Sequence, residues 1–285
     1  MKRIGVLVNT TRLRERPETV APVKRAVDAI ADGATLLVAG EAAALLGRPQ
    51  DAADENELSD AELLIVFGGD GTILRGARLA APRGLPVLGV NMGGFGFLAE
   101  VGASELATAL PDVLDGRYEL DERMMLQARV EPPASAPLLA LNDMVVTRTE
   151  PARVMRVRVA VNGEHLATYA ADGVIVATPT GSTAYSLSAG GPIVHPGVEA
   201  LLITPICPHT FNARSVIINP SDDVTVEVAE RTGDVVLTVD GRIGTTFAHP
   251  SYVTIRKAAQ TTVFIRLRRD SFYNMLRTKL SWGQR

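Results

Sequence analysis

A strand, a three-glycine turn and a helix in direct succession constrain the fold of this chain more than any other feature. Residues 63–67 form an apolar run of strand length, and Gly68-Gly69-Asp70-Gly71-Thr72 follows it at once. Apolar side chains then recur at helical spacing from Ile73 to Ala80. Such a junction presents unpaired backbone N–H groups and a partial positive charge, so it can receive an anion.

Asp70 is the only carboxylate in this turn. A carboxylate does not bind phosphate directly, so Asp70 has one of three other uses: accepting a proton, holding a metal or binding a sugar hydroxyl. The structural alternative is a tight turn in which Asp70 caps the helix.

Strands and helices alternate over the first 116 residues, which predicts a doubly wound, parallel α/β sheet. We predict strands at 3–8, 35–38, 63–67 and 86–90. We predict helices at 17–31, 41–46, 72–80 and 104–114. Ser104 is the predicted cap of the last helix, and residues 50–59 are a predicted loop. A second glycine-rich loop, residues 91–98, follows the fourth strand, and both glycine loops fall at the sheet edge where ligands bind.

β-branched runs replace the helical periodicity after Gly116. They predict strands at 125–130, 138–147, 154–161, 174–177, 215–218, 224–228, 235–239, 252–255 and 263–267. Turn signals separate them at Asn162-Gly163, Asp172-Gly173, Gly233-Asp234 and Asp240-Gly241. Residues 270–280 are helical again. We therefore predict an α/β domain of residues 1–116 plus about 270–285, to which the C-terminal helix returns, and a mostly β domain of residues 117–269.

Composition excludes several classes of function. The net charge of −3 and the pI near 5.9 argue against nonspecific nucleic-acid binding. The one cysteine, Cys207, rules out an intramolecular disulfide and fits a reducing, cytoplasmic setting. No apolar run reaches the roughly 18 residues of a membrane span. The four histidines lack metal-ligand spacing, and neither a Walker P-loop nor a GxSxG elbow is present.

Asn142 and Asp143 stand at the start of a predicted strand, where an amide and a carboxylate suit ribose hydroxyls or an adenine edge. The alternative there is an Asx turn. Residues 178–192 hold threonines, serines and glycines around Tyr185, and they predict either a nucleotide pocket or a polar loop. Arg242, after the predicted hairpin turn, either meets a phosphate or is solvated.

These stretches together resemble the NAD kinase family, whose ATP- or polyphosphate-dependent enzymes make NADP. The resemblance runs from Ile4 to about Leu276 and follows family order. Its motifs are Gly68-Gly69-Asp70-Gly71-Thr72, Asn91-Met92-Gly93, Asn142-Asp143, Asp172-Gly173 and the specific stretch 178–188, followed by Gly190-Gly191-Pro192. The GGDGT motif alone also occurs in lipid kinases, so the later motifs carry the resemblance.

The resemblance implies a role for each matching residue. Asp70 faces the 2′-hydroxyl of the adenosine ribose as the base, Gly71 admits the dinucleotide, and Arg75 lies near phosphate. Asn142 and Asp143 hold the adenine and ribose. The wall of the dinucleotide pocket is implied to be Thr183, Ala184, Tyr185, Ser186, Leu187 and Ser188.

The resemblance implies four further binding positions. Arg153 and Asp172 match binding positions, the second toward the nicotinamide side and from a neighbouring subunit. Ala170 stands where some members carry a basic side chain, so it can contribute only backbone. Arg242 replaces the glutamine of many bacterial members, which leaves its role open.

The resemblance thus implies a kinase that phosphorylates NAD with ATP or polyphosphate and Mg²⁺, as a homodimer or homotetramer. Two rivals remain at this stage. A lipid or sugar kinase would share the GGDG turn but lack the stretch 183–188. A non-catalytic NAD(H) or NADP(H) sensor would keep the pocket residues without needing Asp70.

Overall fold

The computed structural model describes residues 2–94, 96–132, 134–148, 155–210, 212–228, 235–267 and 272–281. Its contacts divide the chain into two units, with boundaries between Glu122 and Arg123 and between Thr261 and Thr262. The first unit comprises residues 1–122 and 262–285, and the second comprises residues 123–261. Both boundaries fall inside long strands, whereas composition suggested boundaries at 116 and about 270.

The first unit contains the alternating elements. Its strands before residue 119 are β1 (Arg3–Val8), β2 (Thr35–Ala39), β3 (Ala52–Ala53), β4 (Leu63–Gly68), β5 (Val87–Asn91) and β6 (Val101–Gly102). Its helices in that part are α1 (Thr10–Glu15), α2 (Val20–Gly33), α3 (Gly40–Leu45), α4 (Glu55–Leu58), α5 (Asp70–Ala80) and α6 (Leu106–Asp115).

The strands of the first unit form the predicted parallel sheet, in the order β3-β2-β1-β4-β5. Alternate side chains of β4 face opposite sides. Ile65 and Phe67 belong to the same core cluster as residues of α2 and α6. Val66 lies against α5, where a Cβ added to Gly76 would come within 2.5 Å of it. The strand order reverses between β1 and β4, and this switch point is where sheets of this kind bind ligands.

Two predictions in the first unit were wrong and one helix was missed. Residues 50–59 are not a loop, because they contain β3 and α4, and Asp54 and Glu57 form a capping box at the start of α4. Ser104 does not cap α6, which begins after Glu105 without a side-chain cap bond. Helix α1 escaped prediction because only one of its six residues, Leu13, is buried.

The second unit is mostly β. Its elements, with the strand that enters it, are β7 (Glu119–Glu131), β8 (Leu138–Ala140), β9 (Asp143–Arg148), β10 (Met155–Val161), β11 (Glu164–Ala171), β12 (Gly173–Ala177), α7 (Tyr185–Ser188), β13 (Leu201–Ile206), β14 (Val216–Ile218), β15 (Val224–Val228), β16 (Val235–Val239) and β17 (Arg242–Phe247). The chain then continues through β18 (Tyr252–Arg266) to α8 (Phe272–Lys279), and the latter belongs to the first unit. No helix of the described ranges is both long and apolar enough to cross a membrane.

One sheet of the second unit runs β14-β13-β12-β9-β16-β17, with antiparallel neighbours throughout. Its inner face shares a core cluster with β10, β15 and β18. Strands β11, β13 and β17 were not predicted. Strand β13 contains Pro205, a residue that normally argues against a central strand, and β11 and β17 are polar strands with many exposed positions. The two predicted runs near the C-terminus are one strand, β18.

Candidate functional site

The glycine turn of the first unit connects β4 to α5 as predicted. Gly69 occupies the N-cap position, and Asp70 is the first residue of the helix. The alternative in which Asp70 caps the helix is therefore wrong, because no side chain caps α5. The carboxylate of Asp70 remains available for other contacts.

The second glycine loop holds the Asp70 carboxylate. The backbone N–H groups of Phe97 and Leu98 donate to its two oxygens, at 2.9 Å to Oδ2 and 3.2 Å to Oδ1. Gly96 passes so close that an added Cβ would fall 1.8 Å from Oδ1. Asp70 is thus fixed in orientation, and it joins the two glycine loops that the sequence showed separately.

The glycines of the turn differ in what the chain requires of them. A Cβ on Gly68 would collide with the Thr72 side chain at 2.5 Å, so Gly68 is needed for packing. A Cβ on Gly71 would meet no atom within 4 Å, and Gly71 is exposed at the head of α5. Glycine costs roughly 1 kcal/mol relative to alanine inside a helix. No contact within the described residues explains why a glycine stands at position 71. The close approach of a ligand would explain it.

Helix α1 adds two residues that sequence analysis did not select. The Asn9 amide donates to Thr72 Oγ1 at 3.1 Å, and its carbonyl oxygen caps α1 by accepting from Arg12 N–H at 3.0 Å. The Arg12 guanidinium donates to the Gly93 carbonyl. An asparagine directly after a buried strand is a helix-start signal, and it could have revealed this helix. Both residues lie at the switch point, between β1 and β4.

Arg75 lies one turn further along α5, half exposed, and forms an ion pair with Glu55 of α4. In this structure its charge is therefore offset by a carboxylate of the protein. An exposed pair of this kind contributes at most about 1 kcal/mol to stability, so an incoming phosphate can compete for the guanidinium.

In the second unit, Asp240 organises the residues around Asn142. Its carboxylate accepts from the backbone N–H groups of Leu141 at 3.1 Å, Asn142 at 2.7 Å and Asp143 at 3.3 Å. Asp240 and Gly241 have φ values of 46° and 75° and form the predicted two-residue hairpin turn between β16 and β17. The turn prediction is confirmed, but no sequence pattern indicated that the carboxylate of this turn would accept hydrogen bonds from the start of another strand.

Asp143 faces this buried carboxylate. Burial, followed by the negative charge of Asp240, raises the pKa of Asp143 to about 7, against an ordinary value of 3.8. The backbone N–H of Tyr185 donates to Asp143 and acts in the opposite direction. Asp143 thus links the β9 start to the stretch 183–188, and it titrates near neutral pH.

The Asn142 side chain carries an unused acceptor. Its Oδ1 is buried and has no hydrogen-bond partner among the described residues. An Asx turn would need that oxygen, so the structural alternative for Asn142 is wrong. The Asn142 backbone is fixed from both sides, because its carbonyl accepts from Thr178 N–H at 2.9 Å and packs directly on Gly181. A buried unsatisfied acceptor is rare, and a ligand donor would satisfy it.

The stretch 183–188 forms a helical turn beside Asp143. Tyr185 is 45% exposed and Ser188 is exposed, while Thr183, Ala184 and Leu187 are partly buried. Ser186 is fully buried, and its hydroxyl lies 3.1 Å from Thr204 Oγ1. Ser186 therefore anchors the turn in the core, whereas the other five residues of the stretch are at least partly accessible to a ligand.

Four predicted site residues remain. Arg242 is exposed and begins β17, directly after the turn that carries Asp240. Ala170 and Asp172 lie near the far end of β12, because Gly173 pairs with Thr147 while Ala177 pairs with Asp143. Five strand steps correspond to roughly 17 Å between Asp172 and the Asp143 end. Arg153 lies outside the described residues.

No group of three or more histidine, cysteine, aspartate or glutamate side chains suitable for a metal occurs within the described ranges. Mg²⁺ usually takes one or two carboxylates together with the phosphates of its substrate, so it does not require such a group. Asp70 is the carboxylate of the glycine turn that could take part.

Two family models match most of the chain. Residues 8–118 match the ATP-NAD kinase N-terminal domain, and residues 141–267 match the ATP-NAD kinase C-terminal domain. A NAD kinase of Caldanaerobacter subterraneus subsp. tengcongensis is 43% identical, over 99% of each chain. A NAD kinase of Moorella thermoacetica is 42% identical over 99% of this chain and 90% of its own.

Solved structures share the fold. A yeast NADH kinase complexed with NADH has a TM-score of 0.90 at 24% identity, covering 100% of this chain and 89% of that one. A NAD kinase from Archaeoglobus fulgidus in complex with ATP has a TM-score of 0.70 at 23% identity, covering 99% and 97%.

Proposed function

The chain belongs to the NAD kinase family, and from this premise we propose how its residues phosphorylate the 2′-hydroxyl of the adenosine ribose of NAD. The donor is ATP or polyphosphate, and the product is NADP. The observation that carries the residue assignment is the Asp70 carboxylate, fixed by Phe97 and Leu98 at the head of α5 beside a glycine that the chain itself does not require.

Asp70 acts as proton acceptor in this proposal. The ribose oxygen forms a bond to the terminal phosphorus, the bond from that phosphorus to the bridging oxygen breaks, and the hydroxyl proton passes to Asp70. The shortened donor leaves with its electron pair. Each carboxylate oxygen that accepts one backbone N–H retains a lone pair, so Asp70 can still orient the hydroxyl.

Phosphoryl transfer asks mainly for positioning and for neutralisation of charge. The first-turn N–H groups of α5 are directed at an anion, and Gly71 leaves space for it. A Mg²⁺ ion held by the donor phosphates would supply further charge neutralisation.

In this proposal, residues of the second unit bind the dinucleotide. The unsatisfied Oδ1 of Asn142 accepts a hydrogen bond from the adenine amino group, and Asp143 accepts from ribose. Thr183, Ala184, Tyr185, Leu187 and Ser188 form the accessible wall, while Ser186 supports them from the core. Arg242 is exposed and directly follows the Asp240 turn, so it is available to meet a phosphate.

We also propose a homo-oligomer, a homodimer or homotetramer, in which Ala170 and Asp172 serve a neighbouring subunit. Their distance of roughly 17 Å from the Asp143 end of β12 supports this, because it keeps their backbone away from Asn142 of the same chain. Exposed apolar side chains lie on both edge strands of the second-unit sheet: Ile217 is 53% and Ile243 is 75% exposed. Edges of this kind are usually covered. The lone cysteine, Cys207, is exposed and unpaired, and it supports a reducing cytoplasmic setting.

Incubation of the purified chain with NAD, ATP and Mg²⁺ tests the reaction. Stoichiometric NADP and ADP are expected, with phosphorus at the 2′-oxygen by ³¹P NMR. Binding of NAD without formation of NADP would instead favour a sensor, and phosphorylation of a lipid or sugar but not NAD would reject the assignment.

A further inference from the structure

Two arginines of the first unit lie beside the glycine loops without a carboxylate to neutralise them. A Cβ on Gly69 would lie 3.8 Å from Arg12 Nη1. A Cβ on Gly93 would lie 3.4 Å from Arg12 Nη2 and 4.0 Å from Arg16 Nη1. Among the described residues, neither arginine forms an ion pair.

Three other arginines of the same unit form ion pairs. Arg14 pairs with Glu41, Arg48 with Asp28 and Asp51, and Arg75 with Glu55. Arg12 and Arg16 instead leave two positive charges at the switch point of the sheet, where the strand order predicts a ligand.

The backbone around Arg12 is fixed, but its guanidinium is not fully used. Arg12 N–H donates to the capping oxygen of Asn9, and Asn9 in turn contacts Thr72 of the GGDGT turn. The guanidinium donates to the Gly93 carbonyl, yet its Nε is buried and has no partner in the described part of the chain. A buried unpaired donor is costly, so rotation of the guanidinium toward an anion would relieve that cost.

We propose that Arg12, assisted by Arg16, binds the phosphate chain of the phosphoryl donor between α1 and the two glycine loops. This inference rests on the proposed function, because it assigns the donor side of the same reaction. A guanidinium suits the task, since its planar set of N–H donors matches phosphate oxygens and keeps its charge at every relevant pH. The peptide N–H groups of the α5 first turn receive the same anion from the β4 side.

Steady-state kinetics of Arg12→Gln, with Arg14→Gln as the matched control, tests the proposal. Both residues lie on α1, but Arg14 pairs with Glu41. We expect Arg12→Gln to raise KM for ATP by roughly 10- to 100-fold, the usual effect of losing a charged hydrogen bond. KM for NAD should stay within about twofold, and Arg14→Gln should change neither value appreciably.

A role limited to bracing Gly93 gives a different result. Loosening the second glycine loop would disturb Asp70, so kcat would fall and KM for ATP would stay unchanged. That outcome, or equal effects of the Arg12 and Arg14 variants on KM for ATP, would overturn the proposal. Thermal melting of both variants shows whether either has lost its fold.

Calorimetry with tripolyphosphate and Mg²⁺, in the absence of NAD, gives a readout that does not need catalysis. Wild type and Arg14→Gln should bind the probe equally, and Arg12→Gln should bind it at least about tenfold more weakly. If wild type binds tripolyphosphate through Arg12 but makes no NADP, the kinase assignment fails while the anion site stands. If wild type makes NADP and all three proteins bind the probe alike, the site fails and the kinase assignment stands.

Discussion

The glycine loops of the first unit and the Asn142 turn of the second unit fix their carboxylates in opposite ways. Asp70 is partly exposed. Backbone N–H groups of the second glycine loop hold its carboxylate in place. Asp143 is buried, faces a second carboxylate and, among the described residues, accepts one backbone N–H, that of Tyr185. Asp240, not Asp143, receives the amides of the β9 start.

This difference suits two tasks. An open carboxylate with a fixed orientation can take a proton from a substrate that comes and goes. A buried pair of carboxylates has a high energy when both are ionised, and hydrogen-bond donors of a ligand relieve that energy. We therefore associate the first site with chemistry and the second with recognition, and the two sites should respond differently to substitution.

The largest expected effect comes from Asp70→Asn. If Asp70 is the proton acceptor, kcat should fall by at least about 100-fold while NAD affinity stays within a few-fold. Steady-state kinetics and calorimetry measure the two quantities. Activity close to wild type would end the base assignment, and recovery of rate at high Mg²⁺ would make Asp70 a metal ligand.

Gly96→Ala complements the Asp70→Asn experiment. The asparagine side chain has one acceptor oxygen instead of two, so Asp70→Asn also removes a hydrogen-bond acceptor for the loop amides. An added Cβ at residue 96 would press on Asp70 Oδ1 while leaving its charge in place. We expect Gly96→Ala to reduce kcat less than Asp70→Asn does. Equal losses would mean that Asp70 acts only by holding the loop.

Asn142→Ala should act on binding alone. Removing Oδ1 leaves a donor of NAD without a partner, which costs about 1–3 kcal/mol, or roughly 5- to 150-fold in affinity. Calorimetry with NAD measures the loss, and circular dichroism controls for folding. An unchanged Kd would remove Asn142 from the pocket.

Asp240→Asn should change the pH dependence of NAD binding. Because the pKa of Asp143 is raised, the contribution of its protonation to stability is fully present below about pH 4 and is lost as the pH rises through about 7. Ribose hydroxyls prefer the ionised form as an acceptor, so NAD affinity should rise about tenfold between pH 6 and pH 8. Asparagine at position 240 tolerates the left-handed backbone of the turn but removes the negative charge. The midpoint of the pH dependence of NAD affinity should therefore move to lower pH.

Calorimetric titrations at several pH values locate that midpoint. Burial is the larger cause of the shift, so a part of it should persist in Asp240→Asn. Asp143→Asn should abolish the dependence altogether. A wild-type affinity that is flat from pH 6 to 8 would contradict the assigned acceptor role of Asp143.

Gly71→Ala is the smallest and most specific change. Because the added methyl meets no protein atom, alanine should stabilise α5 by about 0.5–1 kcal/mol and raise Tm by a few degrees. It should also weaken substrate binding several-fold if a ligand approaches there. Gly68→Ala should have the opposite effect on stability. The added methyl would collide with Thr72, so Tm should fall. Higher stability without any change in KM would show that Gly71 has no contact with substrate.

Elements with strong local signals were predictable from the amino-acid sequence alone. Alternating apolar runs defined the parallel sheet, and the glycine turn after residues 63–67 located the junction at Asp70. The Asp240-Gly241 turn was equally predictable, since its residue types tolerate positive φ. Each of these depends on the properties of neighbouring residues, so a linear pattern contains them.

The hydrogen-bond partners of these residues, in contrast, come from distant parts of the chain and could not be predicted. Asp240 reaches amides that lie almost a hundred positions earlier in the chain, and Asp70 is held by residues 27 and 28 positions later. Strand β13, despite Pro205, is stabilised by burial between β12 and β14. Such contacts depend on sheet order and register, which side-chain periodicity does not encode, because the free energy of burial is shared among residues distant in sequence.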